Sequence, residues 1–277
     1  MKKLFLLGLT VAIATSLQAA GKNARKNVRK VANNQPFELN VAHINDHHSH
    51  LEQERMTLKI DGKDVTLDIG GLPRVGQEIK DFRKNNKNTL ILHAGDAVTG
   101  TLYYTLFKGI ADAELMNVIN FDAFTLGNHE FDDGNEVLAK FLSALKIPVI
   151  SSNVVPDKGS ILEGKWKPYI IKNVGGEKIG IIGMEVVKKT VESSSPGKDI
   201  KFIDEIEAAK KYVKELQDQG INKIILLSHA GYEKNVEIGQ KVDGVDLIIT
   251  GDTHYLLGKE FEQFGLVPEK PDYPKKV

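Results

Sequence analysis

Residues 36–52 read PFELNVAHINDHHSHLE, an apolar and polar alternation that runs straight into four histidines and an aspartate. A period of two is that of a half-buried strand, so the polar cluster falls at the strand's C-terminal end. Such a loop is either a histidine-rich turn or a metal site, and the sequence on either side bears on which.

Upstream, MKKLFLLGLTVAIATSLQAA (residues 1–20) has two lysines, an apolar run too short for a comfortable membrane span and small residues at Ala19 and Ala20. It reads as a cleaved secretory signal, which places the mature chain in the periplasm or outside the cell with no stable membrane anchor. Residues 21–35, GKNARKNVRKVANNQ, read as a solvated basic leader.

Downstream, LKIDGKDVTLDIGG predicts a hairpin turning at Asp61 and Gly62. LPRVGQEIKDFRKNN has helical spacing at Leu72, Val75, Ile79 and Phe82, with Pro73 in its first turn. TLILHAGD is a buried strand stopping at Gly95. The grammar then repeats: a helix near GIADAELMNVINF, a strand in DAFTLGNHE, a helix in DGNEVLAKFLSALK and a strand in PVISSNV. YIIKNV and KIGIIGM form a second hairpin through Gly175 and Gly176, and a helix over IDEIEAAKKYVKELQDQG is capped at Gly220. The strand KIILLSHAG, a helix around NVEIGQKV and the strand VDLIITGDTH follow. Strand–helix alternation with interspersed hairpins predicts an α/β fold with mixed sheets.

The 277 residues suffice for a sizeable core without staples, and no cysteine is present, which excludes disulfides, thiolate ligands and a cysteine nucleophile. Only nitrogen and oxygen donors remain for a metal. Lys plus Arg and Asp plus Glu both total 37, so the net charge is zero and nothing global recommends a nucleic acid polymer or an anionic membrane as partner.

Ligand-type residues recur at the C-terminal ends of five predicted strands: Asp46 and His48, Asp96, Asn128 and His129, His229, and Asp252 and His254. In open α/β sheets that edge is where ligands bind. Any one of these motifs alone is turn chemistry. NDHHSH, GD, GNHE, SHAG and GDTH in this order, each at a strand end, are not.

These motifs, from about Phe37 to His254, resemble the calcineurin-like metallophosphoesterases and, within them, the secreted bacterial 5'-nucleotidases. The resemblance implies a four-layer α-β-β-α sandwich over residues 36–256, two divalent metal ions such as zinc or manganese, and hydrolysis of phosphate from nucleotides. It implies that Asp46, His48 and His254 hold one metal, that Asn128, His229 and Asp252 hold the other, and that Asp96 bridges them. Asp252 departs from the family's usual histidine, and a carboxylate there makes the second site harder, favouring Mn²⁺ over Zn²⁺. His129 would stabilise the transferring phosphoryl group or protonate the leaving group, with Asp132 orienting its ring. His43 and His93 read as structural, and His47 and His50 as supports for the metal-bearing loop.

The nucleoside-gripping groups of such enzymes lie in a C-terminal domain that nothing after His254 resembles, so the substrate-binding residues are unassigned. The sequence reads as a truncated catalytic domain with a linker-like tail over 257–277, and a separate C-terminal domain is a candidate partner. Related phosphodiesterases and pyrophosphatases acting on cyclic nucleotides or dinucleotides, enzymes cleaving thiol-linked sulfate, and an inactive metal-binding fragment are the alternatives that these motifs leave open.

Overall fold

The structure, a computed structural model, describes residues 36–277; the expected signal (1–20) and basic leader (21–35) lie outside the described residues. In chain order, β1 (Asn40–Ile44) enters the histidine-rich loop, and β2 (Glu54–Ile60) and β3 (Lys63–Ile69) form the first hairpin. Then come α1 (Leu72–Asn85), β4 (Thr89–His93), α2 (Leu102–Phe107), α3 (Ile110–Ile119) and β5 (Ala123–Thr125). A 3₁₀ turn (Asn128–Phe131) leads to α4 (Gly134–Ala144), β6 (Val149–Ile150) and β7 (Val154–Pro156). The second half runs β8 (Tyr169–Val174), β9 (Glu177–Met184), α5 (Val187–Ser193), β10 (Ile200–Phe202), α6 (Glu205–Asp218), β11 (Ile224–Ser228), α7 (Tyr232–Lys241) and β12 (Leu247–Thr250).

Local chemistry explains most of these boundaries. At the first hairpin Asp61 and Gly62 both have positive φ (50° and 75°), the type I′ geometry whose twist matches the flanking strands. The Asp204 carboxylate caps α6 by accepting from the N–H groups of Ile206 and Glu207 at 2.9 and 3.1 Å, and the chain leaves that helix through Gly220 at φ 80°. The helices α2 and α5 and the strand β10 were not expected from the sequence. Helix α2 exposes Leu102 and Leu106 while burying Tyr104, so its apolar residues do not mark the face that packs.

Two four-stranded sheets carry the fold. The first, ordered β1-β4-β5-β6, is wholly parallel; the second, ordered β12-β11-β9-β8, is parallel except for β8, which the second hairpin adds antiparallel to β9. Alternation along the strands sorts their side chains into three apolar layers. Leu90 and Leu92 of β4 meet Ile179 and Ile181 of β9 and Ile225 and Leu227 of β11 between the sheets. Ile91, on the opposite face of β4, joins Leu72 and Ile79 of α1, Met116 of α3 and Phe141 of α4. Leu226 of β11 packs under Ala209 and Val213 of α6 and Ile238 of α7. The result is the expected helix, sheet, sheet, helix stack, in which every central strand is apolar on both faces.

After β12, the chain makes a 3₁₀ turn over Lys259–Phe264 and a single bridge between Leu257 and Lys270. The Lys270 ammonium lies over the rings of Tyr232 and Tyr255, 5.0 and 5.2 Å from their centroids, tying this segment to α7.

Candidate metal centre

The loops after β1, β4 and β5 of one sheet and after β11 and β12 of the other converge on a single rim, and their donors face one another. Asp96, 1 % exposed, lies at the middle. Its Oδ2 is 2.9 Å from His229 Nε2, 3.8 Å from His48 Nε2 and 4.0 Å from His129 Nε2. To one side, Asp46 Oδ1 lies 3.0 Å from His254 Nε2 and 3.9 Å from His48 Nε2, and the Nε2 atoms of His48 and His254 are 3.4 Å apart. On the other side, Asp252 Oδ1 lies 3.9 Å from His229 Nε2. Three overlapping trios, Asp46/His48/His254, His48/Asp96/His129 and Asp46/Asp96/His229, each bring their donor atoms within 4.8 Å of one another.

The hydrogen bonds at the back of the rings decide what faces inward. His229 Nδ1 donates to the Ala94 carbonyl at 2.7 Å and His48 Nδ1 to the Val98 carbonyl at 3.3 Å, leaving Nε2 of each as the inward-facing nitrogen. Nε2 of His229 is buried and close to Asp96, yet off the line that an N–H···O bond requires, and so makes no hydrogen bond. Asn128 Oδ1 is likewise buried with no partner. Burial disfavours the charged imidazole of His229, but the charges of Asp96 and Asp46 override it and hold its pKa well above the ordinary value. Burial also works against ionisation of Asp96, and His229 with the neighbouring His129 reverses that and keeps the carboxyl low. Clustered imidazole nitrogens and carboxylates, with the orphaned amide oxygen of Asn128 on the loop after β5, are a fitting donor set for divalent metals.

The rim is strained as well as polar. Asp46, His48 and Ser49 have φ of 50°, 45° and 54°, Asp96 54°, and Asp252 and His254 80° and 52°. Left-handed backbone costs a non-glycine residue about 1 kcal/mol or more, so the surroundings must hold these loops. The backbone of Asp46, His48 and Ser49 donates to the carbonyls of Gly95, Asp96 and Ala97, continuing the β1–β4 pairing into the loops. Glu130, 3 % exposed, accepts from the N–H groups of Asp96 (3.1 Å), Ala97 (2.8 Å) and Gly127 (2.6 Å) and so clamps two donor-carrying loops together. Burial and the Asp96 charge push the Glu130 carboxyl up to about 8. Buried Asp112 of α3 accepts from Ser49 Oγ at 3.1 Å and from His47 Nε2 at 3.2 Å, and the other nitrogen of His47 faces His93 Nε2 at 2.9 Å. Gly127 has no room for a side chain, since a Cβ there would lie 2.3 Å from Asp96 Oδ1.

His129 Nδ1 donates to Asp132 Oδ2 at 2.7 Å, which leaves its Nε2 facing the site. That hydrogen bond raises the His129 pKa against partial burial. Of the supporting histidines, His47 bonds beneath the loop as expected. His50 does not: it is exposed and pairs with Glu54, because the chain has already turned away from the rim. His93 is buried edge-on to Phe121 and Phe124, and burial lowers its pKa. Lys189 of α5, whose ammonium pairs with Asp252, was missed, as were Glu130, Asp112 and Ser49. Only the Glu in GNHE carried a local sign, at the third position of a capping turn.

A family model for calcineurin-like phosphoesterases matches residues 39–256. The chain is 58% identical over 242 residues to a probable 5'-nucleotidase of Treponema pallidum, covering 87% of this chain and 41% of that protein. Among solved structures, the NAD nucleotidase of Haemophilus influenzae matches with a TM-score of 0.81 at 58% identity, over 84% of this chain and 46% of that one. A 5'-nucleotidase precursor from Thermus thermophilus gives a TM-score of 0.81 at 39% identity, over 87% and 46%. The chain spans about two fifths of the length of the curated relatives it matches. Every donor on the rim, from Asp46 to His254, falls within the matched span, and the chain belongs to the calcineurin-like phosphoesterase family.

Proposed function

We propose that residues 36–256 form a two-metal unit that hydrolyses phosphoesters in the manner of a 5'-nucleotidase, removing phosphate from nucleotides. The observation that carries this reading is the meeting of two donor sets on Asp96, whose buried Oδ2 lies 3.8 Å from His48 Nε2 of the Asp46 side and 2.9 Å from His229 Nε2. Asp46, His48 and His254 would hold one cation, and Asn128, His229 and Asp252 the other. When bound, the pair supplies Lewis-acid polarisation of the phosphoryl group and a lowered pKa for the attacking water. The oxygen-rich second set, with Asp252 in place of an imidazole, favours Mn²⁺ over Zn²⁺.

The chain's own residues do the rest. His129, kept basic by Asp132, presents Nε2 as a proton donor toward the phosphoryl or leaving-group oxygen. Asp132 accepts from Ser194 Oγ at 3.0 Å on its other oxygen, which fixes the carboxylate that fixes the ring. Elemental analysis after Mn²⁺ loading tests the reading: two metals per chain and at most one in Asp96→Ala support it, and equal stoichiometry in both refutes it. Turnover of AMP that survives EDTA would also refute it.

The name of the NAD nucleotidase relative favours including a dinucleotide among the substrates, and AMP, NAD and a cyclic nucleotide assayed side by side separate the readings. No helix among the described residues is long and apolar enough to cross a membrane. Export through residues 1–20 is part of the proposal, and N-terminal sequencing of periplasmic protein checks it.

A further inference from the structure

Helix α5 follows β9 at the same rim and is pinned at both ends. The Val187 N–H donates to Glu205 Oε1 at 2.9 Å, and the Thr190 hydroxyl reaches buried Glu185. Beyond its C-terminus the Ser195 N–H donates to the Phe131 carbonyl at 3.1 Å, and Ser194 holds Asp132. A helix fixed in this way has one long cationic side chain aimed into the site. Lys189 places its ammonium on Asp252 Oδ1, the carboxylate oxygen that faces His229 Nε2 at 3.9 Å. The Lys189 side chain is 44% exposed, whereas that of Asp252 is 13% exposed, so the ion pair stands at the mouth with its cation outermost.

Among the described residues Asp252 is the one acceptor within hydrogen-bond reach of Lys189 Nζ, and an ammonium has three N–H donors. The remaining donors have no partner among the described residues, on a side chain that is nearly half exposed beside the rim. Two divalent cations would outweigh the carboxylates of Asp46, Asp96 and Asp252 by one charge, and a bound phosphomonoester dianion would exceed that by one. A fixed cation at the outer edge of the cluster offsets the excess.

On the phosphoesterase reading above, we propose that Lys189 is a phosphoryl-binding residue. It donates to a non-bridging oxygen of the substrate or of the phosphate product while remaining on Asp252. A compact ammonium on a flexible stem can serve both partners at once.

The test is calorimetric titration of inorganic phosphate into the Mn²⁺-loaded full chain, for wild type, Lys189→Met, Lys189→Gln and Lys189→Arg, with manganese content measured on the same samples. The expected result is two metals in every protein, phosphate affinity at least about tenfold weaker in both neutral variants, and recovery to within a few-fold in Lys189→Arg. Running two neutral variants of an exposed side chain guards against a folding defect in either one. Phosphate affinity unchanged within about twofold in the neutral variants would overturn the inference while leaving the phosphoesterase reading intact. Loss of manganese in step with phosphate would also overturn it, since Lys189 would then act only through Asp252 on the metal. A wild type that takes up two metals but binds no phosphate would overturn the phosphoesterase reading itself.

Discussion

Asp112 lies outside every motif and has no part in the proposed chemistry, yet replacing it by alanine should weaken metal binding more than it weakens the fold. Its buried carboxylate accepts from Ser49 Oγ and His47 Nε2, both on the loop that carries Asp46 and His48. Asp112→Ala strands two buried donors, each costing about 1 to 3 kcal/mol. Against that, the loop keeps Asp46, His48 and Ser49 left-handed, which stores about 1 kcal/mol per residue, and release of the clamp lets this strain relax. With the two donors at about 4 kcal/mol together and about 3 recovered, the net loss of stability is about 1 kcal/mol, or roughly 2 to 4 °C in melting temperature for a domain of this size.

Binding a cation through Asp46 and His48 would have to rebuild the strained loop, at about 3 kcal/mol, which corresponds to about a hundredfold in Kd. Calorimetric Mn²⁺ titration and thermal melting on the same samples measure both quantities, and Asp112→Asn, which keeps one acceptor, should fall between. A variant that melts lower but binds its metals with wild-type affinity would refute the reasoning. It would mean that the backbone bonds to Gly95, Asp96 and Ala97, with the Thr101 hydroxyl on the Ser49 carbonyl, suffice to hold the loop.

Two further outcomes follow from the packing. Gly127→Ala should abolish uptake of at least one metal, because its Cβ would fall 2.3 Å from Asp96 Oδ1 and 2.6 Å from the Asp96 nitrogen; normal metal content would show that the loop after β5 can retreat. His43 has a buried Nδ1 with no partner, and burial lowers its pKa from 6.5 to about 4. Between those values the unfolded chain binds the proton that the folded chain refuses, so stability falls as pH drops from 6.5 toward 4, by at most about 3 kcal/mol. His43→Leu should flatten that acid limb in urea unfolding at pH 7.5 and 4.5; an identical pH dependence in the variant would place the effect on other groups.

The site was legible in the sequence to the extent that its donors are strand-end residues. A parallel strand with both faces buried is an apolar run, and polar residues gather where it stops; among them here are Asp46, Asp96, Asn128, His229 and Asp252. The supports were not legible. Asp112, Glu130 and Lys189 touch residues 63, 34 and 63 positions away, and on their own elements they look like ordinary helix and turn residues. His50 misled for the same reason: proximity in sequence to His48 says nothing about which way a turn sends the side chain.

By itself, the sequence determined the alternation of strands and helices, the two glycine-bearing hairpins, the absence of thiolate ligands and the order of the donor motifs, because each is written in local periodicity or residue chemistry. Tertiary structure alone decided that the two sheets stack with their C-terminal ends at one rim and that Asp96 stands between both donor groups. It also decided that the loops are held left-handed by a distant aspartate and glutamate. These are contacts between segments up to 208 residues apart, as between Asp46 and His254, and they exist only once the apolar layer between the sheets has brought those segments together.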